Sequence, residues 1–286
     1  MFDTYFQKRR YENAHHNFTN FFIWGDGYNV RWALCGDHLC LRAASGGKIF
    51  MLQPIGADKG IEKTVEQMEE YCRYRGVDFS MRGAEKFMVD ILEKWRPNYF
   101  EYTSERNNFD YVYSAQDLIE LKGRKYHAKK NHINKFLRTY PDYEYHPLNK
   151  EWALKCLHTL EDWYRKKEAE EDRMLSLEKK GVIKVLTNFA KLNLAGGVIV
   201  INGVVEAFTF GEALNEDTAV IHVEKANPDL SGIYTAINRD FCREAWSSMT
   251  YINREEDMGL EGLRKAKESY SPLKMIEKFD IRVKKK

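Results

Sequence analysis

The sequence has no long apolar run. The longest, such as Gly197 to Ile201, are a few residues each, where a bilayer span needs roughly 20, so no segment is expected to cross a membrane. It has almost no net charge, +2 from 45 Lys and Arg against 43 Asp and Glu. A coat for nucleic acid needs a far larger basic surplus, so any anion site has to be local. Cysteines are few and unpatterned: Cys35, Cys40, Cys72, Cys156 and Cys242 make an odd count with no C-x-x-C. That argues against a disulfide framework or a structural zinc site and for reduced thiols in a cytoplasmic protein. The eight histidines are scattered, with only His15 and His16 adjacent, so no metal is expected. Met1-Phe2-Asp3-Thr4-Tyr5-Phe6 lacks a basic stretch followed by an apolar one, and no signal peptide is expected. The expected location is cytoplasmic, with peripheral contact at the inner membrane surface left open.

What is present suits a globular chain. Of 286 residues, 43% are hydrophobic and 31% charged, which rules out global disorder, and the length suits two cores. Phe21 to Trp24, Val30 to Cys35, Leu39 to Ala43 and Lys48 to Leu52 read as strands cut by Gly-containing turns. Apolar residues at 61, 65, 68, 71 and 72 predict a helix over 61–74, followed by a strand over 77–80 and a helix over 84–95. Ser114 with Asp117 three residues on marks a helix start, and a second helix is expected over 124–140. Then come a strand over 143–148 and helices over 152–167 and 175–192, joined by an acidic, mixed-charge stretch. Strands over 197–201, 204–211 and 218–224 follow, the first two joined by the hairpin signal Asn202-Gly203. A helix over 233–245, a strand over 250–253, a short helix over 260–269 and a strand over 275–283 complete the chain. The order of the second half is that of an acetyltransferase-like (GNAT-like) α/β fold, and the first half reads as a shorter, rearranged version. The expected class is α/β (α+β), with two tandem GNAT-like domains, 1–121 and 122–286, each a mixed central sheet flanked by helices.

Four constellations carry chemistry. Between Lys122 and Arg138 lie seven Lys and Arg and no acid. Tyr126, Ile133, Leu137 and Tyr140 share a helical face, and Lys129 and Lys130 stand where that stripe should be apolar. Ammonium groups there are costly unless an anion or a carboxylate meets them. The helix is either a solvated face whose lysines reach water or a wall for phosphates. On the strand over 218–224, alternation puts His222 and Glu224 on one face. Either Glu224 is structural glue for a nearby Lys or Arg, or it is a general base with His222 beside it.

Asn227 to Gly232 leads from a strand into a helix, where acetyltransferases seat the coenzyme A pyrophosphate. Here there is one glycine, no Arg or Gln, and Asp229 opposes a pyrophosphate, so Ser231 reads as a plain helix cap. Finally, Tyr251 to Gly259 is a dense charged loop before a helix that carries Arg264 and Lys267 on one face. With Asp257 ahead of them, these groups either form a surface ion-pair network or clamp a polar substrate and stabilise an oxyanion.

Gly123 to Phe136, His222-Val223-Glu224-Lys225-Ala226, Ile237-Asn238, Ile252 to Gly259 and Gly262 to Pro272 together resemble the signature of the phosphatidylglycerol lysyltransferase C-terminal domain family, over nearly the whole chain. The resemblance implies tandem acetyltransferase-like domains. It also implies transfer of an aminoacyl group from aminoacyl-tRNA to the hydroxyl of a phospholipid headgroup or, in related peptidoglycan-bridge enzymes, to a lysine amine. The lipid-modifying relatives carry a multi-helix membrane domain that this sequence does not show.

The leading reading is an acyltransferase that uses aminoacyl-tRNA or another activated acyl donor, with no cofactor identified and with tRNA and an anionic phospholipid headgroup as partners. Glu224 or Asp257 would accept the acceptor's proton. Arg254, Arg264 or Lys267 would stabilise the oxyanion. Lys125, Lys129 and Lys130 would hold donor phosphates, Asn238 and Asn253 would orient the acyl group, and Asn131 and His222 would add substrate contacts. The rivals are an acyl-coenzyme A-dependent N-acyltransferase and a non-catalytic module for RNA or anionic lipid.

Overall fold

The computed structural model describes residues 2–167 and 173–285; the mixed-charge stretch expected between the two middle helices lies outside them. In chain order, unit 1 opens with α1 (Asp3–Phe6), α2 (Phe18–Trp24), β1 (Arg31–Cys35), β2 (His38–Ser45), β3 (Lys48–Leu52), β4 (Ile55–Gly56), α3 (Ile61–Tyr74), β5 (Ser80–Ala84), α4 (Lys86–Trp95) and β6 (Phe100–Ser104). Unit 2 contains β7 (Asp110–Ser114), α5 (Ala115–Glu120), α6 (His127–Thr139), β8 (Glu144–Pro147), α7 (Lys150–Lys167), α8 (Arg173–Asn188), β9 (Ala195–Ile201), β10 (Val204–Ala213), β11 (Thr218–Ala226), α9 (Ile233–Trp246), β12 (Tyr251–Asn253), α10 (Glu261–Glu268) and β13 (Lys274–Ile276). The last strand, β14 (Phe279–Val283), belongs to unit 1 again. The units are Met1–Asp110, Glu256–Gly259 and Ile276–Lys286, and Tyr111–Glu255 with Leu260–Met275. These compact units divide the chain near residue 110, with two later returns to unit 1.

Both sheets are mixed and flanked by helices, the expected class, and they share one plan. The first runs β1-β2-β3-β5-β14-β6, with β4 on β2, and the second runs β8-β9-β10-β11-β12-β7-β13. Each has an antiparallel run (β1 to β3; β9 to β11). A helical crossover then leads to a parallel strand (β3 to β5 through α3; β11 to β12 through α9). Beside that strand sits an antiparallel one from elsewhere in the chain, β14 in one sheet and β7 in the other. The second sheet adds β8 antiparallel outside β9.

Local signals account for most of the elements. Asn202 and Gly203 both take positive φ, +51 and +79, as a two-residue primed hairpin turn demands. α3 buries Ile61, Val65, Met68 and Cys72 along one face. Phe21 to Trp24, expected as a strand, is the end of α2 instead. The Asn17 side chain accepts from the Asn20 amide and starts a helix there, and an apolar run of four residues has no period to separate the two states. The strand expected over 77–80 forms at 80–84, and the final one splits into β13 and β14, which join different sheets. Among the described residues no helix is long and apolar enough to cross a membrane.

In unit 2, α9 packs on the sheet through Ile233, Ala236, Ile237 and Phe241, with α6 adding Ile133 and Phe136 to the same core. Gly232 caps α9 at φ +90, and a Cβ there would fall 2.5 Å from the His132 carbonyl oxygen and 3.0 Å from Phe136 Cβ. The α6 backbone therefore stands directly against the first turn of α9. Gly232→Ala is expected to cost about 1–3 kcal/mol, from left-handed strain and the clash, and to lower Tm by several degrees in a thermal melt. Gly262→Ala, with open space at its Cβ, is expected to leave Tm unchanged or slightly raised.

Candidate functional site

The candidate site of unit 2 lies where two parallel strands part. β11 and β12 pair only from Thr218↔Tyr251 to Val220↔Asn253, yet β11 continues to Ala226. The chain leaves β12 because Arg254 donates its amide to the Tyr111 carbonyl (2.9 Å) and Glu255 turns at φ +58. Buried Asn253 stabilises that turn by accepting from the Glu255 amide (2.8 Å). Buried Lys267, from α10, donates its ammonium to the carbonyls of Arg254 (2.5 Å) and Glu255 (3.0 Å), while the Tyr113 hydroxyl donates to the Lys267 carbonyl (2.8 Å). From Ile221 onward no strand among the described residues pairs with the β12 side of β11.

Glu224 occupies this stretch and is gripped at both oxygens. Arg254 Nη2 donates to Oε1 (3.0 Å) and Asn238 Nδ2, from α9, to Oε2 (3.1 Å). The Arg254 guanidinium lies 4.9 Å from the centroid of the Tyr270 ring and 5.8 Å from that of Tyr113. Burial opposes its charge, and Glu224 more than restores it, raising its pKa further above the usual arginine range. Two buried polar atoms here have no partner among the described residues, Arg254 Nη1 and Asn238 Oδ1. Lys129, from α6, places its ammonium 3.9 Å over the Tyr270 ring. Burial first, then the charge of Arg254, pushes it down to about 8, against the pull of Glu224. The Tyr270 hydroxyl, hydrogen-bonded to the Thr235 side chain, is pushed up to about 12 by burial.

His222 is wholly buried between two carboxylates, with Nδ1 2.9 Å from Glu255 Oε1 and Nε2 3.0 Å from Glu212 Oε1. Burial works against its charge, but the hydrogen bonds and charges of the two glutamates raise it to about 9. As an imidazolium it donates from both nitrogens and ties β10, β11 and the turn after β12 into one unit.

The structure thus brings together Lys129, His222, Glu224, Asn238, Asn253, Arg254 and Lys267 of the residues expected at a site. Asp257 lies in unit 1, fully buried, with Oδ1 accepting from the Gly259 amide (2.8 Å) and Oδ2 3.5 Å from Arg106. Arg264 is half-buried on α10. Lys125 pairs with Asp117 at the surface (2.9 Å). Lys130 is exposed and lines, with Gly123, Arg124 and His127, an open depression of about 710 Å³; exposed Asn131 lies 3.4 Å from His127 Nδ1. Sequence reasoning missed Tyr113, Tyr270, Thr235, Glu212 and Glu255. Tyr270 stands inside a motif dominated by charges, and β7, which carries Tyr113, is not among the expected strands. Among the described residues no cluster of His, Cys, Asp and Glu could hold a metal.

The family model for the C-terminal domain of phosphatidylglycerol lysyltransferase matches residues 8–282. The chain belongs to this family. A conserved protein of unknown function from Bacteroides thetaiotaomicron VPI-5482 is 35% identical over 99% of this chain and 95% of its own, with a TM-score of 0.92. L-PGS from Bacillus licheniformis is 14% identical over 90% of this chain and 85% of its own (TM-score 0.66). The C-terminal domain of a putative lysylphosphatidylglycerol synthetase from Agrobacterium fabrum is 13% identical over 93% and 87% (TM-score 0.67). At such identities these two show that the family fold is shared. No curated protein matches the chain.

The charged state of His222 makes a stability prediction. Its pKa rises on folding from the ordinary 6.5 to about 9. Its contribution is therefore full below pH 6.5 and is lost as pH climbs through 9. Denaturant unfolding of the native chain and of His222→Gln across that range is expected to give a stability gap that is largest at pH 6 and narrows towards pH 9.5. A gap independent of pH would show that the imidazole is neutral in the fold.

Proposed function

We propose that unit 2 transfers an aminoacyl group from aminoacyl-tRNA to a hydroxyl or amine acceptor, a phospholipid headgroup being the acceptor the family favours. One observation carries the reading: Arg254 Nη1 and Asn238 Oδ1, a donor and an acceptor on the two residues that grip Glu224, are buried and unmet. Leaving such groups unsatisfied costs about 1–3 kcal/mol each. An aminoacyl ester answers both, its carbonyl oxygen taking the guanidinium and its α-ammonium donating to the amide oxygen, with Glu224 adjacent as counter-charge.

In the step this supports, the acceptor's oxygen or nitrogen adds to the ester carbonyl while its proton passes to neutral Lys129 Nζ. Arg254 Nη1 meets the oxygen that gains charge. The carbon–oxygen bond to the tRNA ribose then breaks, and the proton moves from Lys129 to the leaving oxygen, returning the amine to its starting state. A group near pKa 8 suits that traffic close to neutral pH, and an oriented ternary complex needs no covalent enzyme intermediate. The basic depression at Arg124, His127 and Lys130 offers charge for donor phosphates. The His132 carbonyl against the first turn of α9 disfavours a coenzyme A pyrophosphate in that place.

The test measures transfer of labelled amino acid from aminoacyl-tRNA into phosphatidylglycerol vesicles, with acetyl-coenzyme A as a parallel donor. Arg254→Lys is expected to lower kcat/KM by about 10²–10³-fold with an unchanged circular dichroism spectrum. Lys129→Met is expected to remove the rise of rate through about pH 8. Equal turnover in both variants would sink the assignment, and preferential acetyl transfer would replace the donor.

A further inference from the structure

The shared plan of the two sheets exposes a difference at one edge. In unit 2 the outer hairpin strand, β9, is covered by β8, which runs antiparallel along it from Glu144↔Val200 to Pro147↔Gly197. Its counterpart in unit 1, β1, ends the sheet, with no strand beyond it among the described residues. All but the last of its residues are exposed, including Trp32 at 51% and Leu34 at 46%. These two stand opposite Leu41 and Leu39, whose side chains are buried in a core with Tyr11 and Ile55. The apolar face of the sheet therefore runs on past its edge, and Phe2 leans on Trp32, with ring centroids 5.4 Å apart. A bare apolar edge of this kind invites another strand.

The phase of its backbone says which strand fits. The two-residue turn Gly36-Asp37 makes Cys35 and His38 a hydrogen-bonded pair. Alternation then directs the amides and carbonyls of Arg31, Ala33 and Cys35 at β2 and those of Trp32 and Leu34 outward. We propose that β1 pairs antiparallel with β1 of a second copy of this chain, about a two-fold axis through Ala33. In that register Trp32 and Leu34 of the second copy exchange backbone hydrogen bonds with Leu34 and Trp32 of the first. Each Trp32 ring covers the opposing Leu34, Ala33 faces Ala33 as a small non-hydrogen-bonded pair, and Arg31 stands opposite Cys35 rather than another basic residue. The side-chain area gained is on the order of 400 Å², below the roughly 1,200 Å² of a standard interface. The pairing is therefore concentration-dependent rather than permanent.

Sedimentation velocity of the full chain is expected to show a reversible dimer at about 100 µM that dissociates at about 1 µM. Trp32→Lys with Leu34→Lys, which sets lysines against each other in the pair, is expected to stay monomeric with an unchanged circular dichroism spectrum. In a Cys35→Ser background, Ala33→Cys is expected to form a covalent dimer on mild oxidation. Arg31→Cys in the same background is not, because position 31 faces the substituted position 35 of the other copy, which no longer carries a thiol. A chain that stays monomeric at 100 µM, a dimer indifferent to the double lysine variant, or equal crosslinking at 31 and 33 each overturns the proposal. So does a monomer that uses Trp32 to float with phosphatidylglycerol vesicles, since the edge would then serve lipid instead.

Discussion

The candidate site of unit 2 depends on one buried ion pair. A guanidinium among aromatic rings is expensive to desolvate; Glu224 makes that burial tolerable, and Arg254 does the same for Glu224. The pair is therefore a constraint as much as an attraction, since removing either partner strands a charge under Tyr113 and Tyr270. Its geometry also decides what is left over. Arg254 spends one terminal nitrogen on Glu224 and keeps the other, and Asn238 spends its amide nitrogen and keeps its oxygen. A fold that needed only a structural ion pair could have closed these valences.

Around the pair, charge is used in a graded way. Lys267 and His222 are committed: the ammonium of one holds the carbonyls that follow β12, and the imidazole of the other joins Glu212 to Glu255. These contacts fix the turn at Glu255, whose positive φ sends Arg254 back towards β11. Lys129 is different. It rests on a ring face rather than on a carboxylate and is weakened by its neighbour Arg254. The held cations and the one resting on a ring face are thus supplied by separate elements: β11 and α10 for the first, α6 for the second.

The sequence carried part of this openly. Periodicity in α3 and the Asn202-Gly203 turn needed no tertiary information, and Lys129 betrayed itself as a charge in an apolar stripe. Lys130, one residue on, gave the same signal and is exposed, because a step of one residue turns a helix by about 100°. The ion pair of Glu224 with Arg254 could be foreseen only as two suspicious residues 30 positions apart. Asp257 falls with unit 1. It sits three residues after Arg254, in the same charged run, but the chain crosses from one unit to the other at Glu255, and nothing local marks that crossing. Beside it, Glu256 joins Lys278 and Asp110 in a buried network of unit 1.

That crossing follows from the plan of the sheets. Each parallel crossover leaves a gap beside its second strand, and each gap is filled by a strand from a distant part of the chain, β7 beside β12 and β14 beside β5. A filled gap closes one flank of the parallel strand, so the parting of β11 from β12 is left as the opening on the other. β7 also brings Tyr111, whose carbonyl takes the Arg254 amide and ends β12 after three residues. The inserted strand therefore both completes the sheet and creates the parting in which Glu224 and Arg254 meet. A site built this way is specified by long-range pairing, and for that reason its parts are scattered from residue 113 to residue 270.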